Sequence, residues 1–188
     1  AIGEHPPGFP VFARPVRGAG GKGAGRVETL DDLPDGHDVL VQDLVTAPEY
    51  SIDVLLDLSG RPLQAVARQR LVVRDGEAVK SRTEALPDLV AQSLALCGAL
   101  GLVGHNVVQA FHSSETGVQF IEINPRFGGA SNLSIQAGLA SPHRILQMLA
   151  GEDAEAARER PIVHGLTMLR HAEDRFVTEA DLAAVLER

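Results

Sequence analysis

Cysteine is nearly missing from this sequence and tryptophan is missing altogether. The single thiol, Cys97, can close no intramolecular disulfide and cannot build a thiolate-rich zinc site. It falls in an apolar helical pattern, which predicts a buried structural thiol rather than a nucleophile. Aromatic residues make up only 4% of the chain and the net charge is −8, so nucleic acid would find neither a basic footprint nor a row of stacking platforms. No run of about 18 apolar residues occurs. Residues 1–10 have neither the basic start nor the apolar centre of a signal peptide. The expectation is a cytoplasmic protein that engages neither nucleic acid nor membrane. The seven histidines are scattered, with no i, i+4 pair and no histidine-acid-histidine cluster of the kind that holds zinc.

What remains is ordinary globular material: 188 residues, 44% of them apolar, enough for one well-cored domain with a smaller lobe. Pro6, Pro7 and Pro10 keep the first residues extended. Strands are predicted at 11–13, 39–42, 50–58 and 63–73, the last two joined as a hairpin through Ser59-Gly60-Arg61-Pro62, with a turn at Asp75-Gly76. Residues 29–33 read as a short helix capped by Thr29. Leu86, Leu89, Val90, Leu94, Cys97 and Leu100 fall at helical spacing, with Pro87 in the first turn and Gly101 at the C-cap position. Strands at 106–111 and 118–124 follow, then helices at 131–138 and 142–150, a charged surface stretch at 152–160, a strand at 162–170 and a terminal helix at 181–187. Antiparallel hairpins with helices packed beside them make an α+β arrangement rather than a βαβ alternation.

That distinction bears on Gly18-Ala19-Gly20-Gly21-Lys22-Gly23, which formally satisfies GxGxxG. A dinucleotide loop needs a helix opening at its last glycine within a βαβ unit, whereas here Gly25 follows within two residues and Pro15 interrupts the entry. A phosphate loop of the GxxxxGK[ST] kind also fails, with Val16 in place of its first glycine and Gly23 in place of its hydroxyl residue. What is left is a glycine-rich flap carrying Arg14, Arg17 and Lys22, whose small residues let backbone amides approach an anion closely. A plain surface loop with solvated cations is the other reading of the same stretch. As a flap, residues 17–25 are expected to move freely without nucleotide and to order over its phosphates.

In Gln119-Phe120-Ile121-Glu122-Ile123-Asn124, strand alternation puts Ile121 and Ile123 on one face and Phe120, Glu122 and Asn124 on the other. A carboxylate and an amide oxygen then project together at a strand end, with Gln109 on the preceding strand as a third oxygen. Magnesium bound to nucleotide phosphates needs such a site, with one or two protein carboxylates and few other protein ligands. A polar strand-end cap is the alternative reading of Glu122 taken alone.

The run FIEINPRFGG (120–129) closely resembles the metal-binding signature of ATP-grasp enzymes in the carbamoyl-phosphate synthetase group. In the same order, VFARPVRGAGGKG (11–23) resembles their phosphate flap, VLVQDLVTAPEYSIDVLLD (39–57) their adenine hinge, and HNVVQAF (105–111) their first metal strand. The resemblance covers residues 10–150 and implies the α+β ATP-grasp fold. Residues 1–45 would form a partial flap lobe with the adenine hinge, 46–151 the larger antiparallel-sheet lobe with the metal site, and 152–188 an appended strand and helix. It further implies that Arg14, Gly20, Gly21 and Lys22 meet phosphate, that Gln42, Asp43, Leu44 and Val45 meet the adenine edge, and that Glu49 accepts from ribose. Gln109, Glu122 and Asn124 would hold the metal. Arg126 would stand beside the transferred phosphoryl group, with Arg68, Arg70 and Lys80 on the segment facing phosphate or acyl-phosphate. Asp43 departs from the usual hinge glutamate, which is one carbon longer.

The activity implied is ATP- and Mg2+-dependent, with Mn2+ as a substitute ion. A small-molecule carboxylate is activated as an acyl-phosphate and attacked by an amine or ammonia. Activation of bicarbonate in the manner of a biotin carboxylase, and a nucleotide-binding module without turnover, are the alternatives. The N-terminal domain that precedes the flap in such enzymes is not in this sequence, and it helps to bind the acceptor. The chain is therefore expected to bind nucleotide without ligating by itself. Its expected partners are that domain of the same protein and, as a homodimer, a second copy.

Overall fold

A computed structural model describes residues 8–17, 22–33, 38–74, 76–152, 161–174 and 176–179. Strands β1 (Val11–Pro15), β2 (Gly25–Val27) and β3 (Val39–Asp43) form a small antiparallel sheet in the order β2-β1-β3. Val11, Ala13 and Val27 alternate inward to make its own small core. Between β2 and β3 the expected helix shrinks to a single tight turn, Leu30–Asp32. The Thr29 hydroxyl donates to the Asp32 carboxylate at 2.7 Å and caps no backbone amide.

The larger sheet contains β4 (Glu49–Leu56), β5 (Pro62–Arg74), β6 (Glu77–Glu84), β7 (Gly104–Ser113), β8 (Gly117–Asn124) and β9 (Thr167–Leu169). Its order is β8-β7-β4-β5-β6-β9, and every neighbouring pair is antiparallel. β4 lies near the middle and is covered on both faces. Tyr50, Ile52, Val54 and Leu56 pack against helix α1 (Pro87–Ala99), whose Leu89 and Cys97 are fully buried there. Each such aliphatic side chain contributes about 1.5–3 kcal/mol by leaving water. Burial pushes the Cys97 thiol up to about 11, as suits a structural residue. Gly101, at φ 64, ends α1 in the left-handed turn its position predicts.

The opposite face of β4 carries Glu49, Ser51, Asp53 and Leu55. At the Leu55 end it is covered by Leu139 and by Met148 of helix α3 (Ser141–Leu149). The helix expected over 131–138 is interrupted. Helix α2 spans only Ser131–Ser134, and the chain widens into a broader turn over Ile135–Leu139 with Gly138 at φ 120. A crossing chain leaves no room for a side chain there: a Cβ on Gly138 would stand 2.7 Å from the Pro161 carbonyl oxygen. The strand expected over 162–170 pairs only at Thr167–Leu169. The terminal helix at 181–187 and nearly all of the charged stretch at 152–160 lie outside the described residues. Among the described residues no helix is long and apolar enough to cross a membrane.

Candidate nucleotide and metal site

A cleft of about 660 Å³ opens between the small sheet and the site face of the larger one. Phe12, Arg14 and Lys22 line it from the small-sheet side, and Gln42, Asp43, Leu44 and Val45 close its back where β3 runs out. Glu49, Arg70, Gln109 and Glu122 form the floor. They meet there because β4, β5, β7 and β8 are neighbours in register. Ser51 stands opposite Arg68 on one side and Gln109 on the other, and Gln109 stands opposite Glu122. Gly20 and Gly21 lie outside the described residues, as do Gly18 and Ala19 of the expected flap.

Three polar side chains converge at the β7–β8 end. Glu122 Oε1 accepts from Gln109 Nε2 at 2.8 Å and from Asn124 Nδ2 at 2.7 Å. Turning either amide about its last bond exchanges nitrogen for oxygen at the same point, so the trio can present three oxygens to one ion. One carboxylate and two neutral amides suit a hard cation that brings its own anionic ligands, as Mg2+ does with phosphate and water. Among the described residues no group of three or more His, Cys, Asp or Glu side chains comes together to hold a metal.

Alternation along β8 fails at one point. Gln109 pairs with Glu122 but Ala110 pairs with Phe120, leaving Ile121 as an extra, bulged residue. Phe120 therefore does not share a ladder face with Glu122 as simple alternation predicts, and Gln119, Phe120 and Ile121 all reach the cleft wall. Phe12, Phe111 and Ile121 give the cleft apolar surfaces; each lies within one of the motif runs, but the motifs gave none of them a role.

The cations expected around phosphate divide. Arg70 lines the cleft, 3.0 Å from Glu49, and its Nη2 donates to the Gly76 carbonyl at 3.0 Å. Arg126 lies just beyond this trio, where Nη2 donates to Asn124 Oδ1 at 3.2 Å. Lys80 is exposed on β6 opposite Val72 and Leu169; its neighbour Ser81 pairs with Arg70, so Lys80 projects to the other face and does not line the cleft.

Arg68 also misses the cleft, although it shares a face with Arg70. It is 2% exposed and its Nε donates to Asp53 Oδ2 at 2.5 Å and to Ser134 Oγ at 3.0 Å. Asp53 is the centre of a buried network. Oδ2 also accepts from Ser134 Oγ at 2.5 Å, while Oδ1 accepts from Ser131 Oγ and, at 3.1 Å, from His105 Nε2. Burial alone would push the Asp53 carboxyl up, but the Arg68 charge and the hydrogen bonds from His105 and Arg68 outweigh it and hold the group below the usual range. The sequence carried one signal for this network: an acid at position 53 inside the otherwise apolar strand IDVLL.

Residues 35–172 match the family model described as "ATP-grasp in the biosynthetic pathway with Ter operon". The chain is 26% identical over 168 residues to methylcrotonoyl-CoA carboxylase subunit alpha, mitochondrial, of Dictyostelium discoideum, covering 78% of this chain and 22% of that one. The biotin carboxylase–β,γ-ATP complex from Campylobacter jejuni superposes with a TM-score of 0.67 at 17% identity, over 82% of this chain and 40% of that one. Carboxyaminoimidazole ribonucleotide synthase from Aspergillus clavatus, complexed with ATP, superposes at 0.64 with 18% identity, over 86% of this chain and 46% of that one. The chain thus spans less than half the length of each of these relatives.

Proposed function

Because the chain belongs to the ATP-grasp family, whose model spans residues 35–172, we propose that it activates a carboxylate with ATP and delivers the acyl group to an amine or ammonia. One observation carries the reading: Gln109, Glu122 and Asn124 converge at the end of a cleft whose other walls hold Arg14, Lys22 and residues 42–45. The cleft volume of about 660 Å³ suits a nucleotide. The backbone of Gln42, Asp43, Leu44 and Val45 meets the adenine edge, and Phe12, Phe111 and Ile121 offer apolar surface to the base. Glu49 accepts from the ribose hydroxyls, and Arg14 and Lys22 meet the phosphates.

Mg2+, or Mn2+ in its place, would be held by Gln109, Glu122 and Asn124 and would supply charge neutralisation at the phosphate oxygens. Arg126 brings further positive charge to the same end, and Arg70 brings it to the cleft floor beside Glu49. A carboxylate oxygen of the substrate attacks the γ-phosphorus, the bond to the bridging oxygen breaks, and ADP departs. The amine nitrogen then attacks the acyl carbon, phosphate leaves, and the nitrogen loses a proton. Phosphoryl transfer depends mainly on positioning and charge neutralisation, so no side-chain nucleophile is required. The acceptor pocket is completed by a further domain of the same protein, and the assembly is a homodimer. An ATP-consuming reaction and a lone buried thiol suit the cytoplasm.

The test is ADP release by the full-length protein with Mg-ATP against a panel of carboxylates and amines. Carboxylate-dependent ADP together with an amide product supports the ligase reading. Bicarbonate-dependent ADP without amide favours the second reading, a carboxylase-like activation of bicarbonate, which the likeness to methylcrotonoyl-CoA carboxylase and biotin carboxylase supports. Failure to bind Mg-ATP overturns both.

A further inference from the structure

Asn124 ends β8 and Ser131 begins α2, and the loop between them carries Arg126. Two links tie this loop to one buried carboxylate. The Gly128 amide donates to Ser131 Oγ at 2.9 Å, and the same hydroxyl donates to Asp53 Oδ1. The Phe127 ring stacks on His105 with centroids 4.1 Å apart and 14° between planes, and His105 Nε2 donates to Asp53 Oδ1 at 3.1 Å. The Phe127 carbonyl in turn accepts from Arg126 Nη1 at 3.1 Å. Space is as restrictive as bonding: a Cβ on Gly128 would lie 3.2 Å from both Ser131 Oγ and Val107 Cγ2.

Asp53 is fully buried and does not line the cleft, so it touches no nucleotide. Its two oxygens divide their work. Oδ2 answers Arg68 and Ser134, which close the protein interior, whereas Oδ1 is given to Ser131 and His105, the two residues that grip the loop. A carboxylate kept only to neutralise Arg68 would not need the second pair. Building on the ATP-binding reading above, we infer that Asp53 is a positioning residue that acts through Ser131 and His105. It sets Arg126 and Asn124 at the phosphate end of the cleft. Side chains that neutralise charge act at full strength only when their supports are rigid.

The test is calorimetry on the full-length protein with ATP plus Mg2+ and with ATP plus EDTA. It compares wild type, Ser131→Ala, Arg126→Ala and the double variant. Ser131→Ala is expected to weaken magnesium-dependent binding by about fivefold or more while metal-free binding stays within about twofold. Its effect should shrink once Arg126 is alanine, leaving only the part carried by Asn124, because residues acting as one unit are non-additive. Equal loss with and without Mg2+, or additive losses in the double variant, overturns the inference. Should Ser131→Ala not fold, Phe127→Leu at an exposed ring tests the His105 arm with the same expectations. A wild-type protein that gains nothing from Mg2+ overturns the functional reading itself, which keeps the two failures apart.

Discussion

Arg70 Nε lies 3.0 Å from a carboxylate oxygen of Glu49 on the floor of the cleft, yet Glu49 is harder to ionise than an ordinary glutamate. Burial is the largest influence and raises its pKa, the Arg70 charge lowers it by less, and the nearby Glu122 raises it again. The ionised carboxylate is thus held at a cost to the fold.

A pKa raised above the ordinary 4.5 means that the folded state binds the proton more tightly than the unfolded state. The stability from this group is full below 4.5 and is lost as pH rises through the folded value. Glu49→Gln, which cannot ionise, should therefore be more stable than wild type at neutral pH, and the advantage should close by about pH 4. Urea unfolding at both pH values checks this; a variant less stable at neutral pH would mean that Arg70 outweighs burial.

Glu122 accepts from both Gln109 and Asn124 and is the single carboxylate of the candidate metal trio. Glu122→Ala should weaken magnesium-dependent ATP binding by about tenfold or more, about 1.4 kcal/mol, and leave metal-free binding nearly unchanged. Calorimetry showing equal affinities in a folded variant removes Glu122 from the metal site.

Asp53 and Arg68 form a buried pair, and removing one partner strands the other charge. Asp53→Ala should cost about 3–5 kcal/mol at neutral pH. Because the folded pKa of Asp53 is depressed, its contribution is present above the ordinary 3.8 and is lost as pH falls through the folded value. The gap between wild type and variant should accordingly narrow in strong acid. Chemical unfolding across pH measures it, and a gap that does not change with pH would show that packing, not charge, is what the variant loses.

Gly138, at φ 120, leaves room for the Pro161 carbonyl, and the adjoining Ala137 carbonyl accepts from the Val163 amide at 2.8 Å. Gly138→Ala meets both a disfavoured backbone conformation and a crossing chain, so it should cost about 1–3 kcal/mol or more. It should also loosen the segment that leads to β9, read as faster amide exchange at Val163 than at Ile52. A variant as stable as wild type would mean that this crossing is not tightly packed.

Much of the candidate site was legible because its residues are local in sequence. The candidate metal trio sits on two strands joined by a short turn, so the hairpin brings Gln109 near Glu122, although the Ser113–Gly117 register alone would set Gln109 opposite Ile121 and only the bulge moves it to Glu122. Gln42 and Asp43 of the expected hinge lie on β3, which pairs with the β1 strand that carries Arg14, and Arg14 Nε donates to Gln42 Oε1 at 3.3 Å. The apolar walls were not legible, since Phe12 and Phe111 come from different sheets and meet only across the cleft.

By itself the sequence determined what depends on near neighbours. Helix α1 follows from 3.6-residue spacing with Pro87 and Gly101 at its ends, and the β4–β5 and β7–β8 hairpins follow from turn residues between alternating strands. Only the tertiary structure decided what depends on register and cover. The bulge at Ile121 exists because β8 holds one residue more than its partner strand between fixed pairs, a count that neither strand carries alone. Arg68 and Arg70 share a face by alternation and look equivalent in sequence. They part because α2 covers the sheet at Arg68, where Asp53 and Ser134 must neutralise and bond a charge cut off from water, whereas the sheet at Arg70 opens onto the cleft.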